Sequence, residues 1–96
     1  MVGIYKITNQ INNKIYVGQS VHIVQRWSQH KYQAKDPTEL GHNSILHEAF
    51  RKYGVDNFTF EIIEECKIEE LDEKEKYWIQ HYNSLSPNGY NITLGG

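Results

Sequence analysis

The sequence predicts an α+β fold in which one small sheet is covered by helices, in the order β-β-α-α-β-α. Three observations predict it. A pair of segments with alternating large and polar residues flanks an Asn-rich turn near the amino terminus. Two amphipathic helical segments follow with no strand pattern between them. A third alternating segment then precedes a last helix. Three amphipathic helix faces and one sheet bury their apolar sides most economically as stacked layers.

Each element has its own local reason. Gly3 to Thr8 alternates, Asn9-Gln-Ile-Asn-Asn13 is turn chemistry, and Lys14 to Gly18 resumes the strand pattern, which makes a β-hairpin. A four-residue loop from Asn9 to Asn12, joining Thr8 to Asn13, sets Tyr5 directly opposite Tyr16 on one face; cross-strand aromatic packing alone would account for such a pair. Ser20 can cap a helix over Val21 to Ala34 that buries Val24 and Trp27 and ends at Asp36-Pro37. Ser44 to Tyr53 forms a second helix, with Asn43 as cap, Ile45, Leu46, Ala49, Phe50 and Tyr53 on one side, and Gly54 as its stop. Phe58, Phe60 and Ile62 alternate with Thr59, Glu61 and Ile63 in a half-buried third strand. A third helix covers Glu69 to Tyr82, Asn83 to Gly89 is a loop, and Tyr90 to Thr93 closes the chain as an extended segment.

Composition narrows the function classes. Ninety-six residues suit a single domain, and 39% hydrophobic with 23% charged residues excludes both a disordered tail and a bilayer protein. No apolar run approaches the roughly 18 residues of a membrane helix, and the amino terminus lacks the basic and apolar regions of an export signal. Cys66 is the only cysteine, so no internal disulfide and no multi-cysteine zinc site can form; a reducing, cytoplasmic setting is expected. The net charge of −2 argues against holding a polyanion by bulk electrostatics, although residues 1 to 60 carry seven Lys/Arg against four Asp/Glu and residues 61 to 96 carry three against eight.

Some residues break the local rules. Glu75 stands in the middle of the inward stripe Leu71, Trp78, Ile79 and Tyr82 of the third helix, so its carboxylate must neutralise, pair with a cation, or bind a metal. His22, Arg26 and His30 recur every four residues on one face of the first helix, either a solvated polar face or three potential cations able to grip a phosphate and exchange a proton. His42 and His47 are five apart, poor spacing for two ligands on one helical face, and receive no role; Cys66 is expected to pack as a small hydrophobe.

Taken together these residues resemble the GIY-YIG nuclease family over nearly the whole chain. Gly3-Ile4-Tyr5 is the first triplet, and Tyr16-Val17-Gly18 stands for the second with Val in place of Ile. Arg26 with Trp27 and His30 looks like the family's helix motif, Glu75 in Glu-Lys-Tyr-Trp-Ile like its metal-binding glutamate, and Asn91 in Gly-Tyr-Asn like its late asparagine. The spacing and the closing Gly-Tyr-Asn are most similar to catalytic domains of phage and group I intron homing endonucleases.

The resemblance implies a three-stranded antiparallel sheet flanked by three helices, with Tyr5, Tyr16, Arg26, His30 and Glu75 converging on one concave face. It implies hydrolysis of a DNA phosphodiester, one strand at a time, with a single divalent metal, Mg²⁺ or Mn²⁺, held by Glu75 while Arg26 offsets charge on the phosphoryl oxygens. Tyr5 is the first choice to take a proton from the attacking water, provided positive charge lowers its pKa by about three units; otherwise His30 is the base and Tyr5 positions the water. Gly3 and Gly18 admit close backbone approach, and Asn91 fixes a loop or water beside the site.

Residues 1 to 96 then form one catalytic domain acting on double-stranded DNA, with specificity supplied by a tethered DNA-binding region. Two readings stand beside this one: a noncatalytic DNA-binding or interaction module on the same fold, and a repair-type nicking nuclease. A His-Asn-His nuclease, suggested only by His42-Asn43 and His47, lacks further ligands.

Overall fold

The computed structural model describes residues 1–34 and 44–92. Three strands, β1 (Gly3–Asn9), β2 (Ile15–Ser20) and β3 (Phe58–Glu65), pair antiparallel in the order β2-β1-β3. Three helices, α1 (Ile23–Ala34), α2 (Ser44–Tyr53) and α3 (Leu71–Tyr82), complete the α+β fold, with short 3-10 turns at Val55–Asn57 and Ile68–Glu70. The expected element order is therefore present, with Glu69 and Glu70 in the 3-10 turn that leads into α3. The expected stop at Asp36-Pro37, the Asn43 cap, His42 and residues 93–96 lie outside the described residues. No helix among the described residues is long and apolar enough to cross a membrane.

Because β1 is the central strand, both of its faces are buried. Tyr5 and Ile7 join Ile23, Leu46, Phe50 and Phe58 in a core beneath α1 and α2, while Ile4 joins Val17, Leu71 and Ile79 beneath α3. This two-sided burial explains why Ile4, Tyr5 and Ile7 are all almost fully buried within one short strand.

The structure corrects four local expectations. The hairpin register pairs Tyr5 with Gly18 and Tyr16 with Ile7 rather than Tyr5 with Tyr16. The turn comprises Gln10 to Asn13, closed by Asn9 N–H donating to Lys14 O at 2.9 Å and Asn13 N–H donating to Asn9 O at 2.7 Å, with Asn13 in the left-handed region at φ 63°. The pairing is thus shifted by two residues, which keeps both tyrosines on one face, diagonal to each other with ring centroids 6.3 Å apart.

In α1 the buried position is Ile23, fully excluded from solvent, whereas Val24 is 59% exposed. The helix begins two residues later than expected; the Ser20 hydroxyl accepts from His22 N–H at 2.9 Å in the turn ahead of it, and the first helical bond runs from Arg26 N–H to His22 O, so Ser20 does not cap α1.

On β3 the pairing shifts between Ile4 and Tyr5, leaving Ile63 without a partner in β1, while Phe58, Phe60 and Ile62 keep one face opposite Asn9, Ile7 and Tyr5. Ile63 packs under α3 while Ile62 is 38% exposed. Finally, Tyr90 and Asn91 form no strand of their own. Tyr90 N–H donates to Ile15 O, and the Asn91 side chain pairs with the Val17 backbone in both directions, Val17 N–H to Oδ1 at 2.9 Å and Nδ2 to Val17 O at 2.8 Å. One amide side chain replaces a fourth strand on the outer edge of β2.

Candidate active site at the edge of the sheet

Gly18 sets the geometry of the site. The Tyr5 ring crosses β2 at this residue, and a Cβ there would stand 2.5 Å from both Cζ and Oη of Tyr5 and 3.0 Å from Cε2 of Tyr16. Only the absence of a side chain lets the phenol pass over the strand. Gly3 serves a different close approach, since a Cβ there would meet the Glu64 carbonyl and Glu65 Cα where β3 bulges against β1.

Across the strand, α1 delivers its polar side chains. With its phase set by Ile23, Trp27 and His30 follow at i+4 and i+7 and turn inward, which makes His30 only 1% exposed. His30 Nε2 lies 2.9 Å from the Tyr5 hydroxyl, and its ring packs edge-on against Tyr5 and Tyr16 at centroid distances of 6.2 and 5.6 Å. Arg26, one turn earlier, is half-buried and reaches both the Gln29 amide oxygen at 3.2 Å and the neighbourhood of the Tyr5 hydroxyl. His22 is exposed, in a shallow groove of about 190 Å³ with Ser20, Gln25, Arg26 and Gln29.

Charges in this cluster differ from the sequence expectation. Burial is the largest influence on Tyr5, and together with Tyr16 and Glu75 it pushes the phenol far above its ordinary pKa despite the opposing Arg26 guanidinium. The expected three-unit fall is therefore absent from the protein alone. Burial likewise drives His30 down to about 3, helped by Arg26 and His47, so it is a neutral imidazole at physiological pH. Of the three cations expected along α1, His30 is not one.

Glu75 comes from the opposite layer. With Leu71 and Ile79 it forms the buried stripe of α3, as the periodicity requires, and it is 7% exposed. Gln19, near the end of β2, donates its amide to Glu75 Oε1 at 3.3 Å and to Asp72 Oδ1 at 2.7 Å, tying α3 to the strand. The five expected residues thus approach one another from two sides of the sheet at the edge of β2, with Tyr5 passing over Gly18 close enough to sense the Glu75 charge.

Asn91 holds the β2 edge and also accepts from Ser84 Oγ at 2.7 Å, so its contacts are with the fold. Cys66 is half-buried, its thiol held above the ordinary value by burial and by the Glu70 and Glu64 carboxylates, as an inert packing residue should be.

Among the described residues no three His, Cys, Asp or Glu side chains cluster as a preformed metal cage. A hard cation that keeps its waters and takes oxygen from substrate phosphate needs only one or two carboxylates, and Glu75 fits that requirement. Sequence reasoning missed two participants. Gln19 bridges to the carboxylates, and His47 places Nε2 3.2 Å from His30 Nδ1. His47 lies three residues before Phe50 and one after Leu46, at the margin of the α2 stripe, which is the signal that could have found it.

The GIY-YIG catalytic domain family matches residues 1–91. An intron-associated endonuclease 1 of Enterobacteria phage T4 is 42% identical over 93 residues, covering 94% of this chain and 36% of that protein. A putative endonuclease, segB, of the same phage is 38% identical over 96% of this chain and 38% of its own length. The chain thus spans little more than a third of these relatives. The solved catalytic domain of the homing endonuclease I-TevI superimposes with a TM-score of 0.84 at 34% identity, covering 97% of this chain and 99% of that one. A variant of that domain with a glutamate replaced by alanine gives 0.86 at 33% identity, covering 99% and 96%. The chain belongs to the GIY-YIG family of endonuclease catalytic domains.

Proposed function

We propose that residues 1–96 act as one catalytic unit that hydrolyses a DNA phosphodiester, one strand at a time, with Glu75 holding a single Mg²⁺ or Mn²⁺ ion. The observation that carries the reading is the Tyr5–His30 hydrogen bond of 2.9 Å, flanked by the Arg26 guanidinium and within the influence of the buried Glu75 carboxylate. Nucleases of this family depend on a divalent metal, and homing endonuclease catalytic domains act on DNA.

The division of labour follows from charge. Arg26 is the half-buried cation of the cluster and offsets negative charge on the phosphoryl oxygens. His30 is neutral and presents a ring nitrogen to the Tyr5 hydroxyl, so this pair forms the side of the site that orients water and accepts its proton, with Tyr16 packed against both rings. A divalent cation on Glu75 supplies Lewis-acid stabilisation of the leaving oxygen and the positive charge that the Tyr5 phenol needs. Gly3 and Gly18 supply close approach, and Asn91 holds the strand edge. Because the relatives are longer, target selection is assigned to a tethered DNA-binding region.

The test is conversion of supercoiled plasmid to nicked circle at low salt, where phosphate contacts are least screened. Wild type with Mg²⁺ is expected to nick, while Glu75→Ala and chelated wild type leave the plasmid intact. Equal nicking by Glu75→Ala, or in chelator, overturns the assignment. Binding without any cleavage supports a noncatalytic module instead.

A further inference from the structure

The α2 helix contributes one polar side chain to this cluster. His47 is 4% exposed, and its ring stacks on the buried Phe50 with centroids 6.1 Å apart and planes 19° apart, which fixes the plane of the imidazole. Its Nε2 lies 3.2 Å from His30 Nδ1, while the other nitrogen of His30 lies 2.9 Å from the Tyr5 hydroxyl. We propose that His47 is a positioning residue for phosphodiester hydrolysis: by accepting the Nδ1–H of His30, it holds that imidazole in the tautomer whose Nε2 lone pair faces Tyr5.

Hydrogen counting gives the direction. Arg26 can only donate, and it sits beside the Tyr5 oxygen. The buried phenol must therefore send its own hydrogen to an acceptor, and among the described residues the one within reach is His30 Nε2. An imidazole that accepts at Nε2 and is neutral carries its hydrogen on Nδ1, which points at His47. In the reverse arrangement His30 Nε2–H and Arg26 both donate to the phenol oxygen, and the phenolic hydrogen is buried with no acceptor among the described residues. Among the described residues, the titratable and charged groups that face His30 are Tyr5 from β1, Tyr16 from β2, His47 from α2, and Arg26 from its own helix.

The same network serves the next proton state. When the Tyr5 O–H bond breaks and an Nε2–H bond forms, the electron pair stays on the phenolate oxygen. His30 then has two N–H groups, one donating back to Tyr5 and one to His47, so no partner changes place. Without His47 the Nδ1–H loses its acceptor, and the tautomer with Nε2 protonated no longer costs a hydrogen bond.

The kinetic part of this inference rests on the endonuclease reading, whereas the tautomeric part does not. Long-range ¹H–¹⁵N spectra of ¹⁵N-labelled protein at neutral pH are expected to show His30 protonated on Nδ1. Observation of the Nε2–H tautomer overturns the proposal. In single-turnover nicking, His47→Leu is expected to lower the cleavage rate constant at least tenfold with DNA affinity unchanged, and to shift His30 toward the Nε2–H tautomer. His47→Gln, which keeps an acceptor oxygen, restores most of the rate. A folded His47→Leu protein that cuts at the wild-type rate, or a Gln variant as slow as Leu, refutes the role. If His47→Leu does not fold, the wild-type tautomer and the Gln variant decide. If even wild type fails to nick, the endonuclease reading falls while the spectra still judge the geometry.

Discussion

Adding one methyl group at Gly18 is the sharpest perturbation the site allows. In Gly18→Ala the new Cβ would lie 2.5 Å from Tyr5 Cζ and Oη, about 0.9 Å inside the shortest ordinary van der Waals contact of 3.4 Å. The strand cannot easily yield, because β2 is held by β1 on one side and by Asn91 on the other. The phenol must therefore move by about 1 Å, and its 2.9 Å hydrogen bond to His30 lengthens beyond useful range. Overpacking of this kind costs about 1–3 kcal/mol, which for a domain of this size lowers Tm by roughly 4–24 °C. Displacing a reacting group by about 1 Å costs on the order of 100-fold in rate. Thermal melts and single-turnover plasmid nicking measure the two effects. Combining Gly18→Ala with Tyr5→Phe separates them, because a substitution that acts through the Tyr5 hydroxyl slows a Phe variant no further. A Gly18→Ala protein that melts within about 1 °C of wild type and nicks at the same rate would refute the claim that Tyr5 needs this gap.

Two further outcomes follow from particular contacts. Asn91→Ala removes both hydrogen bonds to the Val17 backbone and the acceptor of the Ser84 hydroxyl, leaving buried groups unpaired; the expected loss is about 2–4 kcal/mol in urea unfolding, and a loss under about 0.5 kcal/mol would mean that water replaces the amide. His30, whose pKa falls from an ordinary 6.5 to about 3 in the fold, makes stability pH-dependent. Between those values the unfolded chain takes up a proton that the folded protein refuses, so the contribution is complete above pH 6.5 and declines as pH falls toward 3, with a slope of up to about 1.4 kcal/mol per pH unit. Urea midpoints at pH 7, 6 and 5 should fall in wild type and flatten in His30→Gln, and an identical slope in both proteins would show that His30 is not the group responsible.

What the sequence determined by itself is what depends on local periodicity. Two-residue alternation and helical stripes are short-range consequences of backbone geometry, so the six elements, their order and the inward aim of Glu75 were legible before any contact was known. Two features of that pattern remained ambiguous because period alone cannot resolve them. A two-residue slip in the hairpin leaves every side chain on its own face, so the sequence placed Tyr5 and Tyr16 together correctly while the partner of Tyr5 proved to be Gly18. In α1 the adjacent Ile23 and Val24 offer two phases, and only packing against the sheet chose the first, which is also the phase that buries His30.

The rest belongs to tertiary structure because it joins residues far apart in the chain. His47 lies 17 positions from His30, Glu75 is 56 from Gln19, and Asn91 is 74 from Val17; no spacing rule connects them. Burial likewise set the protonation of Tyr5 and His30, since desolvation depends on every layer packed around a group. The residue types were written in the chain, and the fold decided which of them share a proton.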